Sequence, residues 1–446
     1  MGFLQRLLGL DRPLFGPRAR AARAAASAPD PAPPLTGANL DAQPLAPGGP
    51  VGDADLPRLA FVILNYNGLR HLDGCFESLS KLDYPKDKLE VILVDNGSSD
   101  ESVAHVRAKH AWVRLIVNEK NVGFSAGCNQ GARAADSAGA LIFLNNDMRV
   151  EPDFARELVS PIVRGECECT TGKMLSWDGK RINSAGGGMN FHGIGIQKGY
   201  EVEPGPEHDV PARTLFACGG AMAIDRAVFE SAGGFDEDFF AYYEDVDLGW
   251  RLWVLGYQIH YAPKAIAYHH HSSTSRTFPV ETVRLLQVRN PLLACFKNYD
   301  DANLGKIFPV ALALTVRRTL LESGLPDDTP YRIERQEVKD KGLAGRMLDA
   351  ARRATDDSAP VRKVAVADLI GINDLLGNWD HWERRRADVQ ARRRRSDSEI
   401  FQLFHKPLWC VEDEPAYRAL HFGAAKRFGV EDLFGGLTAE GPDPKK

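Results

Sequence analysis

Long apolar runs are missing from this sequence: none reaches the roughly 18 to 20 residues that a helix needs to cross a bilayer, so no membrane-spanning segment is expected. Cysteine is sparse as well. The seven cysteines are scattered, and Cys167 and Cys169, the one close pair, lack the second pair that a structural zinc site would need. Reduced thiols in the cytoplasm are the expectation. Charge of one sign is not in excess: a net charge of -5 over 446 residues argues against a nucleic-acid partner, although basic residues cluster near both ends. The opening MGFLQRLLGLDRPLFGPRAR has apolar stretches cut by Arg6, Asp11 and Arg12 and no continuous signal-peptide core, which argues against export. Two readings of it stay open, a small amphipathic basic segment that touches a membrane surface and a frayed tail.

What is present is a globular composition, 44% hydrophobic and 9% aromatic, in a chain long enough for two folded units plus tails. Residues 1–57 are expected to be that N-terminal segment followed by a disordered linker, because Ala, Pro, Gly and Asp dominate from Ala21 to about Leu56. From residue 58 strand and helix alternate. LAFVILNYN, LEVILVDNGSSD, VRLIVNEKN and LIFLNND read as strands that end in polar residues, with HLDGCFESLSKLDY, SVAHVRAKH and AGCNQGARAADS as the helices between them. Such alternation predicts a mostly parallel, doubly covered sheet, with ligands beyond the carboxyl ends of the strands. Asn65, Tyr66 and Asn67, then Asp95 and Asn96, then Asn121 to Phe124, then Asn145 to Asp147 should therefore meet in one cleft. Alone, Asp95 or Asp147 reads as a turn cap. Together, without a nearby lysine, they make an electronegative pocket that suits a divalent cation.

The fragments VILNYNG, VDNGSSD, NVGFSAGCNQG, LNND, FACGGAMAIDRAVFESAGGFDEDFFAYYEDVDLGWRLWVLGY and the histidines after YAPKAIAY, taken in order from about Leu59 to Ser275, resemble the family 2 nucleotide-sugar glycosyltransferases, in their rhamnosyltransferase-like branch. The resemblance implies a GT-A fold, a Rossmann-like αβα sandwich, over residues 58–285, with Mg2+ or Mn2+ as cofactor. Asn145, Asn146 and Asp147 stand in place of the family's DXD motif, with Asn145 replacing the first acid. Asp147 and His269 are then the metal ligands. Asn65, Asn67, Asp95, Asn121, Gly123, Phe124, Asn129 and Asn146 are the implied donor contacts, Gly123 allowing close backbone approach and the next helix offering free N–H groups to the diphosphate. Glu244 and Asp245 open a helix whose Leu248, Leu252 and Leu255 share a face. The residues alone leave open which of the two acids is the base. By resemblance it is Asp245, with Glu244 binding or orienting the acceptor.

Gly219, Gly220, Tyr243 and Trp250 are the implied acceptor contacts. The glycine-rich Ser184 to Gly199 reads as a flexible loop near them, and Trp177, Phe239, Tyr242 and Tyr243 either line the groove or belong to the core. In extended chain His269 and His271 face one way and His270 the other. Residues 286–446 read as helical, with Ala365, Leu369, Ile372, Leu376 and Trp379 spaced as one apolar face beside basic runs at Arg384 to Arg386 and Arg392 to Arg395. Packing on the catalytic domain, self-association as a homo-oligomer, and contact with a membrane surface are the open uses of that face. Altogether the sequence points to an inverting, metal-dependent transfer from a nucleotide-sugar to a glycan or lipid-linked acceptor, by a cytoplasmic protein peripheral to the cell membrane. The alternatives are a sugar-1-phosphate nucleotidyltransferase, which would need a basic glycine-rich loop where NYNGLR stands, and a non-catalytic glycan-binding protein.

Overall fold

The computed structural model describes residues 31–35, 40–270, 278–323 and 362–435. The N-terminal segment Met1 to Arg20 and His271 lie outside these residues.

Alternation along the first strand explains how the sheet is clothed. In β1 (Leu59–Asn65), Leu59, Phe61 and Ile63 enter one apolar core while Ala60 and Val62 enter the other, because successive side chains of a strand point to opposite faces. Helix α1 (Leu69–Ser80) follows, then β2 (Leu89–Asp95), α2 (Ser102–Lys109), β3 (Arg114–Val117), α3 (Phe124–Ala134) and β4 (Ala140–Asn145), as the pattern predicts. These four strands pair in parallel in the order β3-β2-β1-β4.

The second half departs from the parallel expectation. It comprises β5 (Met148–Val150), α4 (Phe154–Val163), β6 (Cys169–Ser176), β7 (Ile182–Ser184), β8 (Gly187–Met189), β9 (Gly195–Gln197), β10 (Ala212–Arg213), β11 (Ala221–Asp225), α5 (Arg226–Ser231), α6 (Glu244–Val254) and β12 (Ile259–His269). Strand β11 runs antiparallel between β4 and β6, and β12 lies parallel to β6, so one mixed α/β sheet has the order β10-β12-β6-β11-β4-β1-β2-β3. The consequence is positional: β11 arrives from the opposite direction, and the turn before it, Gly219 and Gly220, lies beside the end of β4.

Beyond the sheet come α7 (Val280–Asn298), α8 (Asp301–Ser323), α9 (Lys363–Gly377), α10 (Trp379–Ala391), α11 (Asp397–Ile400) and α12 (Pro415–Arg427). They share the apolar core on one face of the sheet. Trp250 of α6 packs edge-on against Tyr299 and Phe404 with ring centroids 4.5 and 5.7 Å apart, and Leu292, Phe308, Leu375 and Tyr417 join the same cluster. A boundary at residue 285 therefore falls inside α7.

Three sequence expectations change here. Part of the supposed linker is docked: Leu40 and Leu56 are buried, Asp41 pairs with Lys198 and His405, and Leu45 donates its N–H to the Pro211 carbonyl at 2.7 Å. The apolar face of α9 is only in part the one the spacing suggested: Ala365 is buried, and Ile372 and Trp379 pack against the core. Ala365, Asp368, Gly371 and Leu375 face inward, Leu369 is 54% exposed, and the helix ends at Gly377 so that Trp379 starts α10. The register turned because Asp368 is drawn in to meet Arg284, at 2.6 and 2.9 Å. Finally, the basic runs are largely taken up internally. Arg386 donates to the carbonyls of Phe296 and Tyr299 and to Asp301, Arg385 reaches Asp236, Arg393 bonds Asp397, and Arg395 bonds the Pro33 and Gly256 carbonyls.

Candidate functional site

Where β1, β2 and β4 end, their polar residues form one hydrogen-bonded layer. Asn65 donates to Asp95 Oδ2 at 2.9 Å and to Ser98 Oγ at 3.2 Å, while its Oδ1 accepts from Asn146 at 2.7 Å. Asp95 Oδ1 in turn accepts from the Ser98 N–H, and Asn67 Oδ1 accepts from the N–H groups of Ser99 and Asp100. The sequence implied donor contacts at Asn65, Asn67 and Asp95. The structure makes Asn65 and Asn67 holders of the β2 loop, and Asp95 is nearly fully buried beneath it.

Above this layer opens a cleft of about 420 Å³. Asn121, Gly123, Phe124, Asn146, Asp147, Gly219, Gly220, Tyr243, Glu244, Asp245 and His269 all line it, from five separate stretches of chain. Asp147 sits in the two-residue turn between β4 and β5, which answers why a buried strand stops at three polar residues: the turn presents the acid to the cleft. His269 ends β12 beside it, with Nε2 3.3 Å from Asp147 Oδ1. His270 points away as strand alternation requires and stacks on Trp177 at 3.8 Å, which takes Trp177 out of the groove. Carboxylate oxygen and imidazole nitrogen directed at one another form a donor set that fits a divalent ion whose remaining ligands are diphosphate oxygens and water.

Across the cleft Glu244 and Asp245 open α6. Asp245 Oδ2 accepts from the Gly219 N–H at 3.0 Å and Oδ1 from the Val246 N–H at 2.8 Å. Burial raises its pKa, and those two N–H groups oppose the rise without cancelling it. Glu244 is buried with Oε2 lacking a hydrogen-bond partner; burial, and then the Asp245 charge, push its carboxyl up to about 8. At neutral pH Glu244 therefore keeps its proton.

The loop that delivers this pair is strained. Phe240, Tyr242 and Tyr243 have φ of 62°, 66° and 66°, a region that side-chain-bearing residues avoid at about 1–3 kcal/mol each. Asn290 of α7 holds it. Fully buried, its amide nitrogen donates toward the carbonyls of Phe239, Ala241 and Tyr242 at 3.0, 3.0 and 2.7 Å, while Arg289 reaches the Asp238 carbonyl at 2.7 Å. From the other side the Phe240 carbonyl accepts from the N–H groups of Phe124 and Ser125 at 2.6 and 3.2 Å. This corrects an expectation: the N-terminal N–H groups of α3 hold the loop before α6 rather than standing free for a diphosphate. Gly123 is required for that approach, since at φ +91° a Cβ would lie 2.6 Å from the Phe240 ring.

Two implied contacts are structural. Asn129 is tied to the Phe235 backbone at 2.9 and 3.0 Å and to Glu237 at 3.0 Å, because its side of α3 faces that turn. Trp250 is wholly buried, well inside α6 and within the aromatic cluster. Phe239 is core too, with the Lys297 ammonium 5.0 Å over its ring. The Ser184 to Gly199 stretch contains a hairpin, β8 with β9, whose Gly195 and Gln197 line the cleft. Asn96, expected in the cleft from its place after β2, lines it and bonds Asn121 at 2.8 Å; the sequence missed the wall formed by Phe278, Thr282, Val283 and Leu286. Phe278 stacks on Tyr66 at 5.8 Å. No motif marks α7, so only packing reveals it.

Residues 60–232 match the family described as Glycosyl transferase family 2. The chain is 27% identical over 201 residues to the low-salt glycan biosynthesis hexosyltransferase Agl10 of Haloferax volcanii, covering 44% of this chain and 62% of that protein, short of two thirds of the relative's own length. It is 29% identical over 245 residues to the N-acetylglucosaminyl-diphospho-decaprenol L-rhamnosyltransferase of Mycobacterium tuberculosis, covering 49% and 78%. The crystal structure of GalNAc-T7 with UDP, GalNAc and Mn2+ superposes with a TM-score of 0.47 at 18% identity, over 68% of this chain and 58% of that one. With the sheet, the cleft and the sequence matches together, residues 60–232 form a glycosyl transferase family 2 region.

Proposed function

We propose that this protein transfers a sugar, with inversion, from a nucleotide-sugar to a hydroxyl of a glycan or lipid-linked acceptor in cell-surface polysaccharide synthesis. The observation that carries the reading is the pairing, across one cleft, of the Asp147–His269 couple with an Asp245 carboxylate fixed by backbone N–H groups. Asp147 and His269 would hold Mg2+ or Mn2+, and such an ion stabilises the charge that develops on the departing diphosphate. Asp245 takes the proton of the acceptor hydroxyl as its oxygen attacks C1. The bond from C1 to the diphosphate oxygen breaks, its electron pair leaves with the diphosphate, and the configuration inverts. Upward displacement of its pKa makes Asp245 a stronger base than an ordinary aspartate. Glu244, protonated, donates a hydrogen bond to the acceptor or the sugar.

Rhamnose from dTDP-rhamnose is the first choice of donor, supported by the family branch and by the mycobacterial relative's description. A cytoplasmic site at the membrane surface suits a lipid-linked acceptor, and exposed Leu369 and Ile370 on α9 support such contact.

Incubation with dTDP-rhamnose and with UDP- and GDP-sugars, in Mn2+, Mg2+ or EDTA, tests the reading by the nucleoside diphosphate released. The expected result is metal-dependent release from one donor class, fastest for dTDP-rhamnose. Release of pyrophosphate from a nucleoside triphosphate and a sugar 1-phosphate would instead establish a nucleotidyltransferase, and no turnover with any donor would favour a binding protein.

A further inference from the structure

A second cluster of ligating side chains lies on α1 and α2 and takes no part in lining the cleft. Asp73 of α1, His105 of α2 and His110, which caps α2, each present one ligand atom, and the three atoms lie within 4.8 Å of one another. Both imidazoles turn the same nitrogen, Nε2, to the same oxygen, Asp73 Oδ1, at 2.7 Å. The rings are set in the wall: their side chains are 17% and 15% exposed, and His110 packs on Phe76 at 4.8 Å. The carboxylate, 60% exposed, faces water.

Two imidazole nitrogens and one carboxylate oxygen converging from two helices, with an open solvent side, match a three-ligand zinc site that keeps one position for water. Bonds of about 2.0–2.1 Å to a tetrahedral ion set its ligands roughly 3.3 Å apart. The two nitrogen-to-oxygen spacings of 2.7 Å need widen by about half an ångström, which rotation of the exposed Asp73 side chain supplies, and the two nitrogens lie within 4.8 Å of each other. Nitrogen ligands also favour zinc over the magnesium or calcium that all-oxygen sites select.

We propose that Asp73, His105 and His110 form a second metal site, for Zn2+, separate from the donor site. Its effect would be mechanical. The loop between β2 and α2 is already tied to the start of α1, since Asp100 accepts the Leu69 N–H at 3.1 Å and Asn67 accepts those of Ser99 and Asp100. An ion joining α1 to α2 adds a second link to this connection and stiffens the loop that covers Asp95.

The test uses untagged, metal-stripped full-length protein carrying Asp147→Ala, which removes the donor-site carboxylate. Equilibrium dialysis should find one zinc per chain, Co2+ should give the intense visible bands of a tetrahedral site, and zinc should raise the melting temperature. Adding His105→Ala should lower zinc affinity at least tenfold and remove the cobalt bands, and so should His110→Gln, a milder change chosen to keep the fold, checked by its metal-free melting curve. Absence of zinc binding in the Asp147→Ala protein, or equal binding in the folded histidine variants, would overturn the site and leave a hydrogen-bonded triad.

Discussion

Replacing Glu244 by Gln should stabilise the protein at neutral pH while impairing it. In the folded chain the carboxyl keeps its proton up to about pH 8, against an ordinary value of 4.5, because burial and then the Asp245 charge disfavour the anion. The unfolded chain gives up that proton near its ordinary value. Between the two pH values the native state binds more protons than the unfolded state, so stability falls as pH rises through that window and levels off above it. Each pH unit in the window costs about 1.4 kcal/mol, which from 4.5 to 7.5 comes to roughly 4 kcal/mol as an upper figure. Glutamine keeps the neutral shape without the titration. Denaturant unfolding of the two proteins should therefore give similar stabilities near pH 4.5 and a growing advantage for Glu244→Gln up to about pH 8, with a melting temperature several degrees higher. Turnover by the wild type should also decline above pH 8, as a second negative charge appears beside the base, and the variant should lack that decline. A difference between the proteins that stays constant with pH, or that favours the wild type as pH rises, would mean Glu244 is ionised in the native state and would refute the assigned role.

Asp147→Ala is expected to abolish metal-dependent donor binding without loss of fold, since the residue occupies a turn; calorimetry with a nucleoside diphosphate and Mn2+ measures it, and undiminished manganese dependence would reject the ligand. Asp245→Asn should keep donor affinity and lower kcat by about 10²- to 10⁴-fold, the usual contribution of a general base. If Asp245→Asn turns over normally while Glu244→Gln does not, the base is Glu244. Asn290→Ala should free the strained loop: kcat falls by roughly tenfold or more with donor KM nearly unchanged, Asn290→Gln restores part of it, and equal loss in both parameters would argue for a merely structural residue.

Much of the fold was legible because each early strand carries its own evidence. In β1 and β4 apolar residues run to a polar end, and no tertiary information is needed to see that the ends converge. The antiparallel β11 was not legible, since direction depends on where the chain returns and not on the residues of FACGGAMAI. Asp147, His269, Glu244 and Asp245, singled out by resemblance, line one cleft. Asn129 and Trp250 failed for a common reason: they sit within motif segments, but their helices turn them toward the Phe235 turn and the aromatic core. Asn290 carries the opposite lesson. It matters through three carbonyls roughly fifty residues earlier in the chain, and nothing in VRNPLLACF announces them.

The aromatic cluster that joins α6 to the C-terminal helices bears on how such proteins can be recombined. Trp250, from the helix that begins with Glu244 and Asp245, rests on Tyr299 and Phe404, and Tyr299 in turn donates its hydroxyl to the Phe191 carbonyl at 2.7 Å beside the hairpin. A cut after residue 285 would bare this interface and also remove Asn290. Acceptor preference is therefore not transplantable by exchanging everything beyond the matched region. A working chimera should carry its own helices through at least residue 427 and vary only the cleft-facing positions Thr282, Val283 and Leu286, which meet the substrate side without entering the shared aromatic packing.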